Sequence, residues 1–195
     1  VDAERFRPDP ALPSPFAADE RAIVFTGAMD YWPNVDAVVW FATEVLPRIR
    51  EREPQASFWI VGRNPTPAVQ ALAGGAVHVT GTVPQVEPYL QHAGAVVAPL
   101  RVARGIQNKI LEAMAMGQPV ITVPSCAEPI GATAEQGLWR CDEAECFAQG
   151  VLAWLADPAR RERLGAAARE HVVQNFSWQA NLDRLAAWLP TTESS

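Results

Sequence analysis

The stretch from Arg101 to Gly117, RVARGIQNKILEAMAMG, brings cationic side chains together at the predicted start of a helix. Arg104 and Gly105 precede this helix, and Lys109 lies in or near its first turn. The first turn of a helix carries unpaired backbone N–H groups and the positive end of the helix dipole, which together bind anions. Cations are unfavourable there unless they meet an anion. The stretch therefore indicates a site for a phosphate-bearing ligand, although a solvated basic loop would show the same charges.

Glu112 follows Lys109 by three residues, so both side chains lie on one face of the predicted helix. The nearby positions 113, 115 and 117 hold small residues. An ionised carboxylate accepts hydrogen bonds through two oxygens, and it can therefore hold the two neighbouring hydroxyls of a ribose. A glutamate in a helix is more often a surface residue, so position alone does not establish this role.

Short apolar runs alternate with helix patterns along the chain, and these elements must position the residues described above. The predicted strands are Ala22–Gly27, Ser57–Gly62, Val77–Gly81, Ala95–Leu100 and Pro119–Val123. Helices are predicted between them, over 35–52, from the pair Thr66-Pro67, over 86–92 and over 107–116. Strands separated in this way form a parallel sheet with helices on both faces, and such sheets bind ligands beyond the carboxyl ends of their strands.

The predicted helices carry signals at their ends. Asn34 is expected to cap the helix over 35–52, and Pro47 to kink or shorten it. Beyond residue 137 only helices are predicted. Asp142 with Glu145 is expected to form a capping box at the start of a helix over 144–156, Asp157-Pro158 to start a second helix, and a third is predicted over 178–189. The proline-rich opening is expected to be an irregular connecting segment rather than a natural start of the protein.

Composition and charge exclude some classes of function. The net charge of −6 argues against a nucleic-acid partner, because binding to a phosphate backbone needs clustered Lys and Arg. No apolar run approaches the roughly 20 residues of a membrane helix, and no signal segment opens the chain, so we expect a cytoplasmic protein. The three cysteines and three histidines show no metal-ligand spacing, and Cys126, Cys141 and Cys146 are expected to be reduced thiols.

The segment KILEAMAMGQPVI resembles the signature L-E-A-M-A-x-G-x-P-V of the family 4 glycosyltransferases of GT-B fold. Other segments resemble the family in the same order, namely VDAERFRP, IVFTGAMDY, FWIVGR, VHVTGTVPQVEPYLQHAGAVVAPL and DPARRERLGAAAREHVVQNFSW. The resemblance implies an α/β fold, a Rossmann-like parallel sheet flanked by helices, as the C-terminal half of a GT-B enzyme. Residues 1–20 would be the linker from a missing N-terminal acceptor-binding domain, 21–176 the nucleotide-sugar-binding domain, and 177–195 a C-terminal helix and tail.

The resemblance also implies roles for individual residues. Glu112 matches the second glutamate of the family's E-x7-E motif, which holds the ribose hydroxyls of the donor. Gly105 and Ile106 match the loop whose backbone amides meet the diphosphate and the sugar. Thr82 and Val83 match the segment beside the nucleotide base.

One position and one loop depart from the family pattern. Arg104 stands where the family has the first glutamate of the motif, which contacts the donor sugar, so the catalytic residues stay unassigned. The loop after the first strand, GAMDY, lacks the Arg and Lys that grip the diphosphate, and we expect Lys109 with Arg63 or Arg104 to supply that charge. The donor-binding set implied by the resemblance is Gly27, Arg63, Thr82, Val83, Arg104, Gly105, Ile106, Asn108, Lys109 and Glu112.

The implied function is glycosyl transfer of the hexosyltransferase class, with retention of configuration, from a nucleotide-diphosphate sugar. FTGAMDYWPN and ARGIQNKILEAMAMG resemble a branch that acts in bacterial exopolysaccharide synthesis. Helix N-termini and basic side chains would stabilise the leaving diphosphate, so neither a metal nor another cofactor is expected. This chain alone is expected to bind the donor without turning it over. Peripheral association of the full-length enzyme with the inner face of the membrane is a further option.

Three alternatives stay open from the residues alone. A sugar-nucleotide epimerase of GT-B architecture would bind the same donor. A non-catalytic binding domain is favoured if Arg104 closes the sugar pocket. A dinucleotide-binding domain is disfavoured, because FTGAMDY lacks the G-x-G-x-x-G spacing that lets a pyrophosphate approach the backbone.

Overall fold

Six parallel strands form the centre of the fold in the computed structural model, which describes residues 1–103, 105–180 and 182. The strands are β1 Arg21–Thr26, β2 Ala56–Val61, β3 Val77–Gly81, β4 Ala95–Ala98, β5 Val120–Thr122 and β6 Leu138–Arg140. Their order in the sheet is β3-β2-β1-β4-β5-β6. The five predicted strands are confirmed with small shifts at their ends.

The sixth strand corrects the expectation that only helices follow residue 137. β6 has three residues, and it pairs with β5 in the register Val120↔Leu138 to Thr122↔Arg140. A run of three residues is too short to show an alternating or apolar pattern. Pairing with a neighbour that lies 18 residues earlier in the register creates this strand, and that pairing is a tertiary effect.

The helices pack on both faces of the sheet. They are α1 Trp32–Trp40, α2 Leu46–Arg50, α3 Pro67–Gln70, α4 Glu87–Gln91, α5 Asn108–Ala115, α6 Pro124–Ala127, α7 Ala144–Ala156 and α8 Pro158–Phe176. Central strand residues such as Ile23, Val24 and Phe25 are fully buried. Burial on both faces explains why these strands appear in the sequence as continuous apolar runs rather than alternating ones.

The order of the strands locates a ligand cleft. β1 pairs with β2 on one side and with β4 on the other, so the chain leaves β1 toward one edge and returns to β4 on the opposite side. The loops after β1 and β4 consequently diverge at the carboxyl ends of these strands. Parallel sheets bind ligands at such a point of reversal.

The helix between β1 and β2 differs from the prediction at its start and in its middle. Asn34 is not the cap: α1 starts at Trp32 after Tyr31, and Asn34 lies buried in the first turn. The kink expected at Pro47 takes the form of a π-helix at Phe41–Val45 between α1 and α2. Proline lacks an N–H group and its ring crowds the carbonyl four residues earlier, so a wider turn accommodates it.

The two C-terminal helices differ in how they begin. Asp142 and Glu145 form no capping box, since α7 starts after Glu143 without a side-chain cap. Asp157 does cap α8, because its carboxylate accepts a hydrogen bond of 2.9 Å from the backbone N–H of Arg160. Most of the helix predicted over 178–189 lies outside the described residues.

The first 20 residues are irregular, as expected, but they are attached to the domain. Ala3 and Phe6 are buried, and the guanidinium of Arg169 on α8 donates a hydrogen bond of 2.9 Å to the carbonyl of Phe6. Arg5 forms an ion pair of 2.7 Å with Glu87 at the start of α4. The division at residues 20 and 176 remains a prediction.

Two cysteines are not the reduced thiols that we expected. Cys141 and Cys146 are joined in a disulfide, with their Cα atoms 5.6 Å apart. The turn from β6 into α7 brings them to this separation, which is within the usual range for a disulfide. Cys126 on α6 is a buried free thiol, as expected.

Candidate functional site

A cleft of about 720 Å³ opens at the carboxyl ends of the central strands. Its volume is typical of a site for a small molecule of nucleotide size. Eight residues of the predicted donor-binding set line it: Gly27, Arg63, Thr82, Val83, Ile106, Asn108, Lys109 and Glu112. Gly105 lies just before this lining and does not contribute to it, and Arg104 lies outside the described residues.

Lys109 lies at the inner end of the cleft, in the first turn of α5. Its ammonium is 4.4 Å from the centre of the Phe25 ring, in a cation–π contact, and donates a hydrogen bond to Oδ1 of Asn34. Burial lowers the pKa of Lys109 to about 8, and the nearby charge of Glu112 opposes this shift. The site therefore holds a cation that is partly stripped of water and that an anionic ligand would stabilise.

Asn34 lies in the cleft, although its position in the sequence predicts a helix cap. The residue is only 4% exposed, and its Nδ2 donates a hydrogen bond of 2.8 Å to the carbonyl of Ala28. An asparagine at the start of a helix pattern suggests a cap, and this local signal concealed the contact with Lys109, 75 residues later in the chain. Tyr31, Gln107 and Val86 also line the cleft without having been predicted.

Gly27 at the end of β1 is required by the closeness of its neighbours. A Cβ atom at this position would lie 2.7 Å from Nδ2 of Asn34 and 2.9 Å from Nζ of Lys109. A Cβ atom on Gly62 would lie 1.6 Å from the carbonyl oxygen of Gly27. The glycines that end the first two strands thus allow the two loops and the lysine to converge.

Glu112 faces the same cleft one helical turn after Lys109. Burial raises the pKa of its carboxyl, and the positive charges of Arg5 and Lys109 oppose that shift. Within the described part of the chain, its carboxylate has no hydrogen bond and no ion pair. Both oxygens are consequently available to a ligand that donates hydrogen bonds.

Two arginines that follow strands, Arg101 after β4 and Arg63 after β2, differ in whether they can reach a ligand in the cleft. Arg101 does not line the cleft: its guanidinium forms an ion pair of 2.9 Å with Asp36 and lies 5.0 Å from the centre of the Trp40 ring. Arg63 is exposed at the cleft and forms no ion pair with any residue that the structure describes. Of these two, only Arg63 is placed to assist Lys109.

The arrangement combines one half-buried cation, one half-buried carboxylate and a glycine at the end of a strand. Phosphate oxygens match the ammonium, and neighbouring hydroxyls match the carboxylate. Among residues 1–103, 105–180 and 182, no group of three or more His, Cys, Asp or Glu is placed to hold a metal ion. In the same part of the chain, no helix has the length and apolar character needed to cross a membrane.

The sequence of this chain is similar to that of a known mannosyltransferase. A GDP-mannose-dependent alpha-(1-6)-phosphatidylinositol monomannoside mannosyltransferase of Mycobacterium tuberculosis is 32% identical over an alignment of 210 residues. The alignment covers 97% of this chain and 54% of that protein. The chain therefore spans about half the length of this relative.

Solved structures show the same fold. HepE of Anabaena, crystallised with UDP and glucose, matches with a TM-score of 0.76 at 14% identity, over 98% of this chain and 55% of that chain. The C-terminal domain of LpcC, a glycosyl transferase group 1 family protein of Francisella tularensis, matches with a TM-score of 0.66 at 16% identity, over 92% of this chain and 100% of that chain. The predicted Rossmann-like α/β fold of a GT-B glycosyltransferase is confirmed.

A family model provides the assignment. The model for the glycosyl transferases group 1 matches residues 20–157, which is well over half of the chain. Its match includes all six strands and the helix that carries Lys109 and Glu112. The chain belongs to the glycosyl transferases group 1 family.

Proposed function

We propose that this chain is the donor-binding domain of a retaining glycosyltransferase that uses a nucleotide-diphosphate sugar. The observation that supports this most strongly is the placement of Lys109 and Glu112, one helical turn apart, in one cleft at the reversal of the strand order. At this separation, the ammonium can bind the diphosphate of a nucleoside diphosphate while the carboxylate binds its ribose hydroxyls.

Each part of the donor has a proposed partner. Glu112 accepts hydrogen bonds from the ribose hydroxyls, and Lys109 with Arg63 binds the diphosphate. Asn108 lies beside Lys109 at the start of α5 and lines the same cleft. Thr82 and Val83, which follow β3, lie beside the base. Gly105 and Ile106 present backbone amides to the diphosphate, and Arg104 meets the sugar.

In the proposed reaction, the bond from the anomeric carbon of the sugar to the diphosphate oxygen breaks, and a bond from the same carbon to an acceptor oxygen forms on the same face. The nucleoside diphosphate leaves with the bonding electrons, and the acceptor hydroxyl loses its proton. Charge grows on the leaving oxygen, where the Lys109 ammonium and the N–H groups at the start of α5 stabilise it. The acceptor would bind largely to a preceding domain, so this chain alone binds donor without transferring sugar.

The biological setting is also a proposal. The relatives differ in nucleotide, since the mycobacterial protein is named for GDP-mannose and HepE was crystallised with UDP. The proposed setting is bacterial exopolysaccharide synthesis in the cytoplasm, at the inner face of the membrane, without a nucleic-acid partner. Neither a metal nor another cofactor is part of the proposal.

Product analysis tests this function against its closest competitor. The full-length protein is incubated with UDP-, GDP- and ADP-sugars and a lipid-linked or free sugar acceptor, and the products are separated. A new glycoside supports transfer, whereas an altered free sugar indicates an epimerase. Binding of a donor with neither product favours a non-catalytic domain, to which the arginine at position 104 would be suited.

A further inference from the structure

Lys109 is the single lysine of this chain, in which all 15 other cationic side chains of the Lys and Arg type are arginine. A lysine ammonium is a compact point charge, whereas a guanidinium is a broad planar group that binds in a forked geometry. The space around position 109 suits the compact group. Nζ is close enough to Gly27 that a single added Cβ atom would approach it to 2.9 Å.

The immediate partner of the ammonium is a neutral amide. Asn34 accepts one hydrogen bond from Lys109 through Oδ1 and donates through Nδ2 to the carbonyl of Ala28, 2.8 Å away. The second hydrogen bond fixes which end of the amide faces the lysine. Asn34 is thus oriented from the loop after β1 and is buried at 4% exposure.

An ammonium has three N–H donors, and Asn34 uses one of them. Within the described residues no other hydrogen-bond acceptor contacts it, and the ring of Phe25 lies 4.4 Å away in a cation–π contact. The titratable groups that face it are Glu112 on its own helix and the Cys126 thiol on α6. A neutral partner holds the ammonium in place without cancelling its charge, which leaves donors for an anion in the cleft.

We propose that Asn34 is a positioning residue, which holds the Lys109 ammonium beside Gly27 so that its charge acts on the diphosphate of the donor. This inference rests on the proposed function, because it assigns the diphosphate to Lys109. Asn34 itself acts through the lysine. The pair Asn34–Lys109 takes the place of a cation supplied by the loop after β1, which carries none.

The single lysine allows a direct test of this pair. Protein labelled with 13C and 15N in lysine gives one side-chain signal, whose pH titration reports the pKa of Lys109. Asn34→Leu fills nearly the same space without an acceptor, so the pKa of Lys109 should fall. Asn34→Asp places a carboxylate against the ammonium, so the pKa should rise. Asn175→Leu on α8, whose side chain bonds to the carbonyl of His171, is the matched control and should leave it unchanged.

Nucleotide binding then tests whether the pair acts on the diphosphate. UDP, GDP and ADP and the corresponding nucleosides are titrated at pH 7. Both Asn34 variants should weaken binding of the preferred nucleoside diphosphate by about tenfold, the scale of one hydrogen bond to a charged group, and should leave nucleoside binding unchanged. In a Lys109→Met background the Asn34→Leu change should not weaken diphosphate binding further, because the ammonium that Asn34 positions is no longer present.

Three outcomes decide the matter. Opposite pKa changes, with a loss confined to the diphosphate and absent in Lys109→Met, support the proposal. Unchanged binding in Asn34→Leu, or an equal loss for nucleoside and diphosphate that persists in Lys109→Met, overturns it while the proposed function stands. If the wild type binds none of the nucleotides, even as the full-length protein, the assignment of the diphosphate to Lys109 fails, whereas the lysine titration still decides whether Asn34 holds Lys109.

Discussion

At the scale of single residues, the site depends on two ionisable groups whose charged forms are disfavoured by burial. Burial lowers the pKa of Lys109 to about 8 and raises the pKa of Glu112. Each charge opposes the shift of the other. A bound nucleoside diphosphate would satisfy both groups, since phosphate stabilises the ammonium and ribose hydroxyls stabilise the carboxylate.

The lowered pKa of Lys109 predicts how donor binding depends on pH. The ordinary pKa of a lysine is 10.5, and that of Lys109 is about 8, so the folded protein loses this charge as the pH rises through about 8. Diphosphate affinity should be steady near pH 7 and should decline above pH 8. The phosphate groups, with a second pKa of about 6, are already ionised across this range. Calorimetry at pH 7, 8 and 9 measures the effect.

A variant with a permanent charge provides the control. Lys109→Arg keeps its proton throughout this range, so any binding that it retains should not decline above pH 8. A wild-type affinity that stays constant from pH 7 to 9 would show that the Lys109 charge does not bind the diphosphate.

Residue types and spacing predicted that Lys109 and Glu112 lie together, because residues three apart in a helix lie on the same face. Asn34 could not be assigned in the same way. Its partner is 75 residues away, and its local context resembles a helix cap. The composition sets Lys109 apart, because it is the single lysine beside 15 arginines, but it carries no signal for Asn34.

At the scale of elements, the site forms where β1, α1 and α5 converge on Gly27. The apolar runs predicted five of the six strands because each is buried on both faces. The three-residue strand β6 was not predicted, and the kink expected at Pro47 was predicted without its π-helical form. Pairing with β5 creates the first, and local crowding by a proline ring creates the second.

Replacing Gly27 should weaken diphosphate binding while changing the stability of the fold only slightly. In Gly27→Ala the new Cβ atom would lie 2.7 Å from Nδ2 of Asn34 and 2.9 Å from Nζ of Lys109, so these polar groups must shift. We expect diphosphate affinity to fall by about tenfold, the scale of one displaced charged hydrogen bond. Thermal unfolding should change by only a few degrees. Both are measured on the same preparation.

Gly150→Ala on α7 is the matched substitution away from the cleft. There the added atom would meet the end of the Ile121 side chain at 2.9 Å, which changes packing in the core. Its nucleotide affinity should equal that of the wild type. Equal affinity in Gly27→Ala as well would refute the idea that Gly27 provides the space in which Lys109 and Asn34 meet.

At the scale of the whole molecule, the chain matches about half the length of its mycobacterial relative. Four exposed apolar residues lie at the end of the sheet where the cleft opens: Tyr31, Val102 and Ile106 in the loops after β1 and β4, and Trp32 at the start of α1. The fold was predictable from the strand–helix alternation, whereas the disulfide required the geometry of the turn between β6 and α7.

Thiol counting tests that disulfide. Protein purified without reductant and unfolded in denaturant should expose one thiol, from Cys126, because Cys141 and Cys146 are joined. After reduction all three cysteines should react. Alkylation followed by mass spectrometry provides both counts and identifies the residues. Three reactive thiols before reduction would show that the pair does not form under these conditions.

The most direct test of the central claim is calorimetric titration of this chain with UDP, GDP and ADP without metal, repeated on Glu112→Ala. We expect one nucleotide to bind, and its binding to weaken by about 1–3 kcal/mol in the variant, the scale of hydrogen bonds to a charged group. That result would support the donor site and identify the base. Equal binding by the wild type and Glu112→Ala, or no binding of any nucleotide even by the full-length protein, would contradict the assignment of this cleft to the donor.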